Sequence, residues 1–178
     1  MERAPKLFAG VGNVLRCDDG AGVCAARVLE SLPLPPDVEV RELGTAGLAA
    51  APLLEGRSLV VIADAVDLGA EPGTLFRLTP ERIRPYAQTG LSLHEVHLLH
   101  ALDETRLRGR APGAVVILAV QVADVSLGVG LSPAVDRALD GLLRRAAAEL
   151  GMALPPERWP ARFRLGRDVQ PRGGPRWR

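Results

Sequence analysis

The sequence predicts an α/β fold, a three-layer α/β/α sandwich with a mostly parallel, twisted sheet. Short apolar runs that read as buried strands alternate along the chain with stretches whose apolar residues recur at helical spacing. This alternation is typical of parallel sheets whose crossover helices cover both faces. The three clearest strands are Lys6–Val11, Leu59–Val66 and Ala114–Gln121, and the three clearest helices are 21–32, 94–107 and Pro133–Leu150.

Shorter elements complete the expected sheet. Residues 38–43 alternate apolar and polar side chains as a second strand does, and residues 74–78 are expected to form an edge or hairpin strand. Residues 44–54 open with Gly-Thr-Ala-Gly and read as a further helical stretch. We expect Ser132 to cap the last helix, because its hydroxyl suits an N-cap and Pro133 suits the first turn.

The composition is that of a globular protein. The chain has 178 residues, of which 47% are hydrophobic and 24% charged, with a net charge of +1. We expect one α/β domain over residues 1–150, followed by a basic tail over residues 151–178 that is rich in Pro, Gly and Arg. No apolar run approaches the roughly 18 residues of a membrane span. No export signal is visible, so we expect a cytoplasmic protein whose two cysteines, Cys17 and Cys24, are reduced.

Positive charge is concentrated at the end of the chain. Residues 157–178 hold seven arginines against Glu157 and Asp168, a net charge of +5, which leaves −4 for the rest. An arginine-rich tail can bind nucleic acid or an acidic partner, but a solvated chain end is the favoured interpretation. Since the remainder carries no basic stripe, a nucleic-acid partner is not expected.

Polar clusters follow the predicted strands at positions where α/β sheets bind ligands. They are Gly12-Asn13 with Asp18 and Asp19, then Asp64 with Asp67, and then His94 at the start of a helix. Each has a structural alternative: Asp18 or Asp19 could cap the helix that begins near Gly20, and His94 could be a cap or a core histidine. Asp64 interrupts an apolar strand, where a buried carboxylate is costly without a partner or a metal.

Other histidines and cysteines in the chain favour structural roles. His97 and His100 follow His94 along the same predicted helix and read as surface or packing residues. Cys24 falls within an amphipathic helix and reads as core. Cys17 is the one thiol that could serve as a nucleophile, but the two aspartates after it disfavour a thiolate.

Several common active-site motifs are excluded. The segment Gly10-Val11-Gly12 follows a strand, but a dinucleotide fingerprint needs a third glycine at position 15, where this chain has leucine. There is no P-loop motif and no serine in a G-x-S-x-G elbow. What remains is two carboxylates and an imidazole at one sheet edge, a donor set that suits zinc or nickel. A metal held there would polarise a carbonyl or lower the pKa of its water to about 7.

Five short elements occur in a fixed order over most of the chain. They are GVGNVLRCDDGAGV (10–23), GTAG (44–47), DAVD (64–67) with PGT (72–74), SLHE (92–95) and GLSPAV (130–135). In this order they resemble the hydrogenase maturation endopeptidases, which mature the large subunit of nickel-iron hydrogenases. The joint order of the elements makes the resemblance specific.

The resemblance implies a cytosolic endopeptidase that removes a short C-terminal extension from the hydrogenase large-subunit precursor. Such enzymes act after nickel has entered the precursor, so the expected metal is nickel supplied by the substrate, with no organic cofactor. The metal-contacting and catalytic positions carry over as Asp19, Asp64 and His94. Asp19 is one methylene shorter than the glutamate that the family often carries there. A monomer that binds the precursor is expected.

The implied mechanism places the nickel of the substrate against Asp19, Asp64 and His94, with the scissile bond beside them. Either a metal-polarised water or a carboxylate acting as general base on water would then attack the peptide carbonyl. Asp18 is assigned to helix capping or to support of the ligands, and Asn13, the only asparagine, to fixing the loop.

Two alternatives stay open at this point. The same three residues could hold a resident zinc in a hydrolase of another substrate. A non-catalytic chaperone that binds the precursor is the other.

Overall fold

The computed structural model describes residues 3–45, 50–85 and 93–155, with the backbone alone at 93–95. Its centre is one five-stranded sheet in the order β2-β1-β3-β5-β4. The strands are β1 (Lys6–Val11), β2 (Val38–Gly44), β3 (Leu59–Val66), β4 (Leu75–Leu78) and β5 (Ala114–Gln121). All neighbouring pairs are parallel except β4 with β5, which is antiparallel at the edge of the sheet.

Helices cover both faces of the sheet, which confirms the predicted α/β sandwich. They are α1 (Ala21–Glu30), α2 (Ala51–Leu54), α3 (Pro80–Ile83), α4 (Leu93–Leu107) and α5 (Pro133–Leu150). Helices α1 and α5 share one core with Phe8 and Val61, whereas α2, α3 and α4 share the other with Leu7 and Ile62. Adjacent residues of a strand face opposite cores because side chains alternate along a strand.

The central strands have the predicted bounds because each is an apolar run buried on both faces. In register, Gly10 of β1 lies beside Ala63 of β3, and Asp64 lies beside Ala119 of β5. The carboxyl ends of β1, β3 and β5 therefore meet at one edge of the sheet, which we call the carboxyl edge.

The last helix begins and ends as its sequence predicts. The Ser132 hydroxyl accepts a hydrogen bond from the Val135 N–H at 3.4 Å, and Pro133 occupies the first turn. At the other end Gly151 adopts a left-handed φ of +71°, which closes the helix. The core continues past this point to Met152, whereas residues 156–178 of the predicted tail lie outside the described residues.

Some boundaries differ from expectation. The first helix ends at Glu30 rather than at residue 32, and the helical stretch expected after residue 44 is described as α2, with 46–49 outside the described residues. Two elements were not predicted, a 3-10 helix at Cys17–Gly20 and the short α3. Both are single turns, too short to show a hydrophobic period. Among the described helices, none is long and apolar enough to cross a membrane.

Candidate active site

Asp64 lies in β3 near the carboxyl edge, two residues before the strand ends. Its neighbour Ala65 packs on the side of α1 and α5, so strand alternation places Asp64 on the face that α2 and α4 cover. The residue is 1% exposed, and its Oδ1 accepts a hydrogen bond from the Ala65 N–H at 2.8 Å. A carboxylate is thus held deep at the end of a central strand, as the sequence predicts.

The loop after β1 brings Asp19 over the same edge, and this requires glycine at two positions. Gly12 has a φ of +125°, and a Cβ there would lie 1.8 Å from the carbonyl oxygen of Asp19. A Cβ on Gly22, in α1, would lie 2.1 Å from the carbonyl oxygen of Ala63 in β3. The glycines of the first motif therefore allow the 3-10 helix and α1 to rest directly on the strand ends.

Asn13 and Asp19 fix this loop together. The Asn13 Oδ1 accepts from the Leu15 N–H at 3.0 Å, so Asn13 fixes the loop as predicted, through a side-chain-bonded turn. The Asn13 N–H in turn donates to Oδ2 of Asp19 at 3.0 Å. Asp19 is 7% exposed. Its carboxylate is positioned by the backbone of the loop that it closes.

Asp18 is completely buried and supports the edge in a way that the sequence did not reveal. Its Oδ2 accepts from the N–H groups of Ala123 and Asp124 at 2.8 and 3.0 Å, and its Oδ1 accepts from the Ser132 N–H at 2.6 Å. Of the two roles predicted for Asp18, helix capping is wrong, since the N-cap of α1 is Gly20 and no described side chain caps that helix. Support of the ligands stays a prediction. The carboxylate instead ties the 3-10 helix to the loop between β5 and α5.

Gln121 is a second organising residue that sequence reasoning missed. It is 3% exposed, and its Oε1 accepts from the N–H groups of Leu68 and Ala70 at 2.9 and 3.3 Å. Its Nε2 donates to Oδ1 of Asp67 at 2.9 Å, so Asp67 shapes the turn after β3. The signal for Gln121 in the sequence was a polar residue at the end of the apolar run of β5. Asp64 interrupts the apolar run of β3 in a similar way.

The histidines lie along α4, on the face of the sheet to which Asp64 belongs. His94 is the second residue of that helix, and its side chain lies outside the described residues. His97 is half-buried and His100 is exposed. In the described part of the chain, no group of three or more His, Cys, Asp or Glu side chains is arranged to hold a metal. Asp19 in the 3-10 helix and Asp64 in β3 both lie at the carboxyl edge, whereas the role of His94 stays a prediction.

Cysteines contribute differently to this region. Cys24 is fully buried in the core of α1, as predicted. Cys17 is partly exposed with a φ of +45°, and its thiol contacts the carboxylate of Asp124. Hydrogen bonds from Ser126, and then that thiol, hold the pKa of Asp124 below its ordinary value of 3.8. The rim of the site therefore carries a carboxylate that stays ionised at neutral pH.

Comparison with known proteins identifies the family. A model of the hydrogenase maturation protease family matches residues 23–149, a segment that includes Asp64 and His94 and begins after Asp19. The chain is 33% identical to the hydrogenase expression/formation protein HupD of Rhodobacter capsulatus, over 81% of this chain and 70% of that protein. It is 31% identical to the hydrogenase 2 maturation protease of Escherichia coli, over 81% of this chain and 89% of that one.

A solved structure agrees with these sequence relatives. The hydrogenase maturating endopeptidase HybD from E. coli superposes with a TM-score of 0.77 at 30% identity, covering 82% of this chain and 91% of that one. The fold, the ordered motifs and the sequence similarity all lead to one conclusion: the chain belongs to the hydrogenase maturation protease family.

Proposed function

We propose that this protease removes the C-terminal extension of a hydrogenase large-subunit precursor that already carries nickel. Asp19, Asp64 and His94 contact that nickel, which arrives with the substrate, and no organic cofactor takes part. The observation that carries the proposal is the pair of carboxylates at the carboxyl edge, 7% and 1% exposed, each accepting a backbone N–H bond.

The donor set suits this substrate. Carboxylate oxygens and an imidazole nitrogen are ligands of divalent first-row metals, nickel and zinc among them. Backbone N–H groups fix the two aspartates in position without cancelling their negative charge. A cation presented by the precursor would therefore meet two carboxylates whose positions the backbone already fixes, which favours selective binding.

Cleavage itself requires a water and a group that accepts its proton. The nickel site of the precursor docks against the three residues and places the scissile peptide bond beside the acids. Water attacks the carbonyl carbon, activated either by the bound metal ion or by a carboxylate acting as general base. The C–N bond then breaks, the new chain end leaves as a carboxylate, and the proton passes to the amine of the released peptide.

This arrangement makes nickel insertion a checkpoint. A precursor without nickel lacks the ligand that anchors it, so its peptide bond is not held near the acids. Asp18 and Asn13 are assigned to support, because both act through backbone hydrogen bonds around Asp19.

We further propose a cytoplasmic monomer with one α/β domain, predicted over residues 1–150 and continued by the buried Met152, and a separate basic tail. The net charge of −4 outside residues 157–178 supports a body that does not bind nucleic acid. These assignments concern the setting of the enzyme, and the proposed chemistry does not depend on them.

The test is cleavage of the nickel-loaded precursor, followed by mass spectrometry. We expect loss of the extension with the unsubstituted protein, and no cleavage with Asp64→Ala or His94→Ala. His100→Ala is a matched control, because it removes an exposed imidazole from the same helix and should cleave normally. Undiminished cleavage by either site variant contradicts the assignment.

Two further measurements separate the alternatives. Stoichiometric zinc in the purified protein, together with cleavage of nickel-free precursor, would favour a hydrolase with a resident metal. Stable binding of the precursor with no change in its mass would favour a chaperone.

A further inference from the structure

Exposed hydrophobic side chains are concentrated beside the candidate site. Among the described residues, five large hydrophobic side chains are exposed: Leu15 (59%), Leu107 (89%), Val125 (39%), Leu127 (87%) and Val129 (49%). Four of them lie in two segments, the loop after β1 and the loop between β5 and α5. We call these four the apolar ridge (Leu15, Val125, Leu127 and Val129). Contiguous exposed apolar residues are typical of interaction sites.

Backbone hydrogen bonds join the two segments of the ridge. The Gly128 N–H donates to the Leu15 carbonyl at 2.9 Å, and the Cys17 N–H donates to the Gly128 carbonyl at 3.1 Å. This forms a short parallel bridge between Arg16 and Gly128. The Arg16 Nε also donates to the Val125 carbonyl at 3.0 Å. The four apolar side chains are therefore carried by one bonded unit.

The ridge is continuous with the site through Asp18. This buried carboxylate accepts N–H bonds from Ala123, Asp124 and Ser132, which bracket the second segment of the ridge. The next residue along the chain is Asp19. The 3-10 helix therefore carries both Asp19, a proposed metal ligand, and Asp18, which binds the loop of the apolar ridge.

From this placement we infer that the apolar ridge is the docking surface for an apolar segment of the precursor close to its nickel site. The inference rests on the proposed function, since an endopeptidase must bind its protein substrate beside the site of cleavage. Acids next to exposed apolar side chains complement a substrate that presents a cation flanked by apolar residues. Binding the precursor would remove these side chains from water, which favours the complex.

The test compares two leucines of nearly equal exposure. Leu127→Ser removes the most exposed member of the ridge, and Leu107→Ser removes a leucine at the end of α4, near the opposite edge of the sheet. With nickel-loaded precursor as substrate, we expect Leu127→Ser to raise KM about tenfold, with kcat within about twofold of the unsubstituted protein. Leu107→Ser should leave KM and kcat unchanged. Leu127→Met, which keeps an apolar side chain of similar size, should have a KM close to that of the unsubstituted protein. Thermal melts of each variant check that the fold is retained.

Each other outcome contradicts the inference in a distinct way. An unchanged KM for Leu127→Ser, or an equal rise for Leu107→Ser, overturns the docking surface and leaves the proposed function intact. If sedimentation shows a dimer that Leu127→Ser dissociates, the ridge binds a second copy of the chain instead. If the unsubstituted protein does not cleave the precursor, the proposed function fails and the docking surface with it.

Discussion

The carboxylates at the two edges of the sheet have different hydrogen-bond partners. At the edge where the parallel strands begin, acids pair with cations: Lys6 with Asp37 at 2.9 Å, and Arg57 with Glu39 at 2.6 Å. At the carboxyl edge, Asp18, Asp19 and Asp64 accept hydrogen bonds from backbone N–H groups. A salt bridge neutralises a carboxylate, whereas a backbone donor fixes its position and leaves its charge.

Arg57 stabilises the edge where the parallel strands begin, which we call the first edge. Its side chain is 2% exposed, and its Nε donates to the Leu53 carbonyl while Nη1 donates to the Ala4 carbonyl. Burial raises the pKa of Glu39, but the bonds and charges of Arg57 and Arg41 outweigh it, so this pKa lies below its ordinary value. The comparison teaches that the acids of the first edge are held by cationic side chains, whereas those of the carboxyl edge are held by backbone donors.

The sharpest test of this comparison is Asp64→Asn, which keeps the shape of the side chain and removes its charge. We expect kcat/KM on the nickel-loaded precursor to fall by about 10³-fold or more, because the proposed metal ligand and candidate general base are lost together. The free energy of unfolding, measured in urea, should change little by comparison. Activity within tenfold of the unsubstituted enzyme would show that the charge at this edge is not used.

Asp18→Ala should lower both stability and activity. Removing the carboxylate leaves three N–H groups without their acceptor, and we expect a loss of about 3 kcal/mol in the free energy of unfolding. Asp18→Asn keeps one oxygen acceptor and should lose less. Asp124→Ala is the control, since it removes an exposed acid from the same loop that accepts one backbone N–H bond, from Ser126, rather than three. Equal stability of Asp18→Ala and Asp124→Ala would contradict the supporting role.

Glu39→Gln tests the opposite edge. Arg57 would remain buried without its counter-charge, so we expect the free energy of unfolding to fall by about 2 kcal/mol, with kcat/KM unchanged. Because the pKa of Glu39 is lowered in the fold, its contribution is present above the ordinary value of 4.5 and is lost as pH falls through the folded value. Urea titrations from pH 7 to pH 3 should show the two proteins converging. If Glu39→Gln lost activity but kept the full free energy of unfolding, the difference in role between the two edges would be contradicted.

The smallest effect is expected from Asp37→Asn. Its partner Lys6 lowers the pKa of Asp37 below 3.8 through a hydrogen bond, but the two side chains are partly exposed, at 29% and 43%. Stability should therefore drop only slightly near neutral pH, with the difference vanishing in acid and shrinking with added salt. Urea midpoints at low and high salt would measure this.

The sequence was most informative where local pattern and tertiary burial agree. The strands β1, β3 and β5 could be read directly, because a central parallel strand is apolar throughout and its end is marked by polar residues such as Asp64 and Gln121. The turn at Asn13 could also be predicted from the sequence, since its hydrogen bond joins residues only two positions apart.

The role of Asp18 could not be read in this way. Its partners lie between 105 and 114 residues further along the chain, so no local pattern distinguishes it from a helix cap. Similarly, the motif around Gly12 indicated a tight turn, but only the fold shows that the carbonyl of Asp19 occupies the space a side chain would need.

The long reach of Asp18 has a consequence for synthesis of the protein on the ribosome. Asp18, in the motif that holds Asp19, is made 114 residues before Ser132, whose N–H binds its carboxylate. A nascent chain can therefore bury its first strands before the loop between β5 and α5, which binds Asp18, has formed. Proteolytic competence should arise only after the chain has been made as far as Ser132 and the loop before it can fold against Asp18.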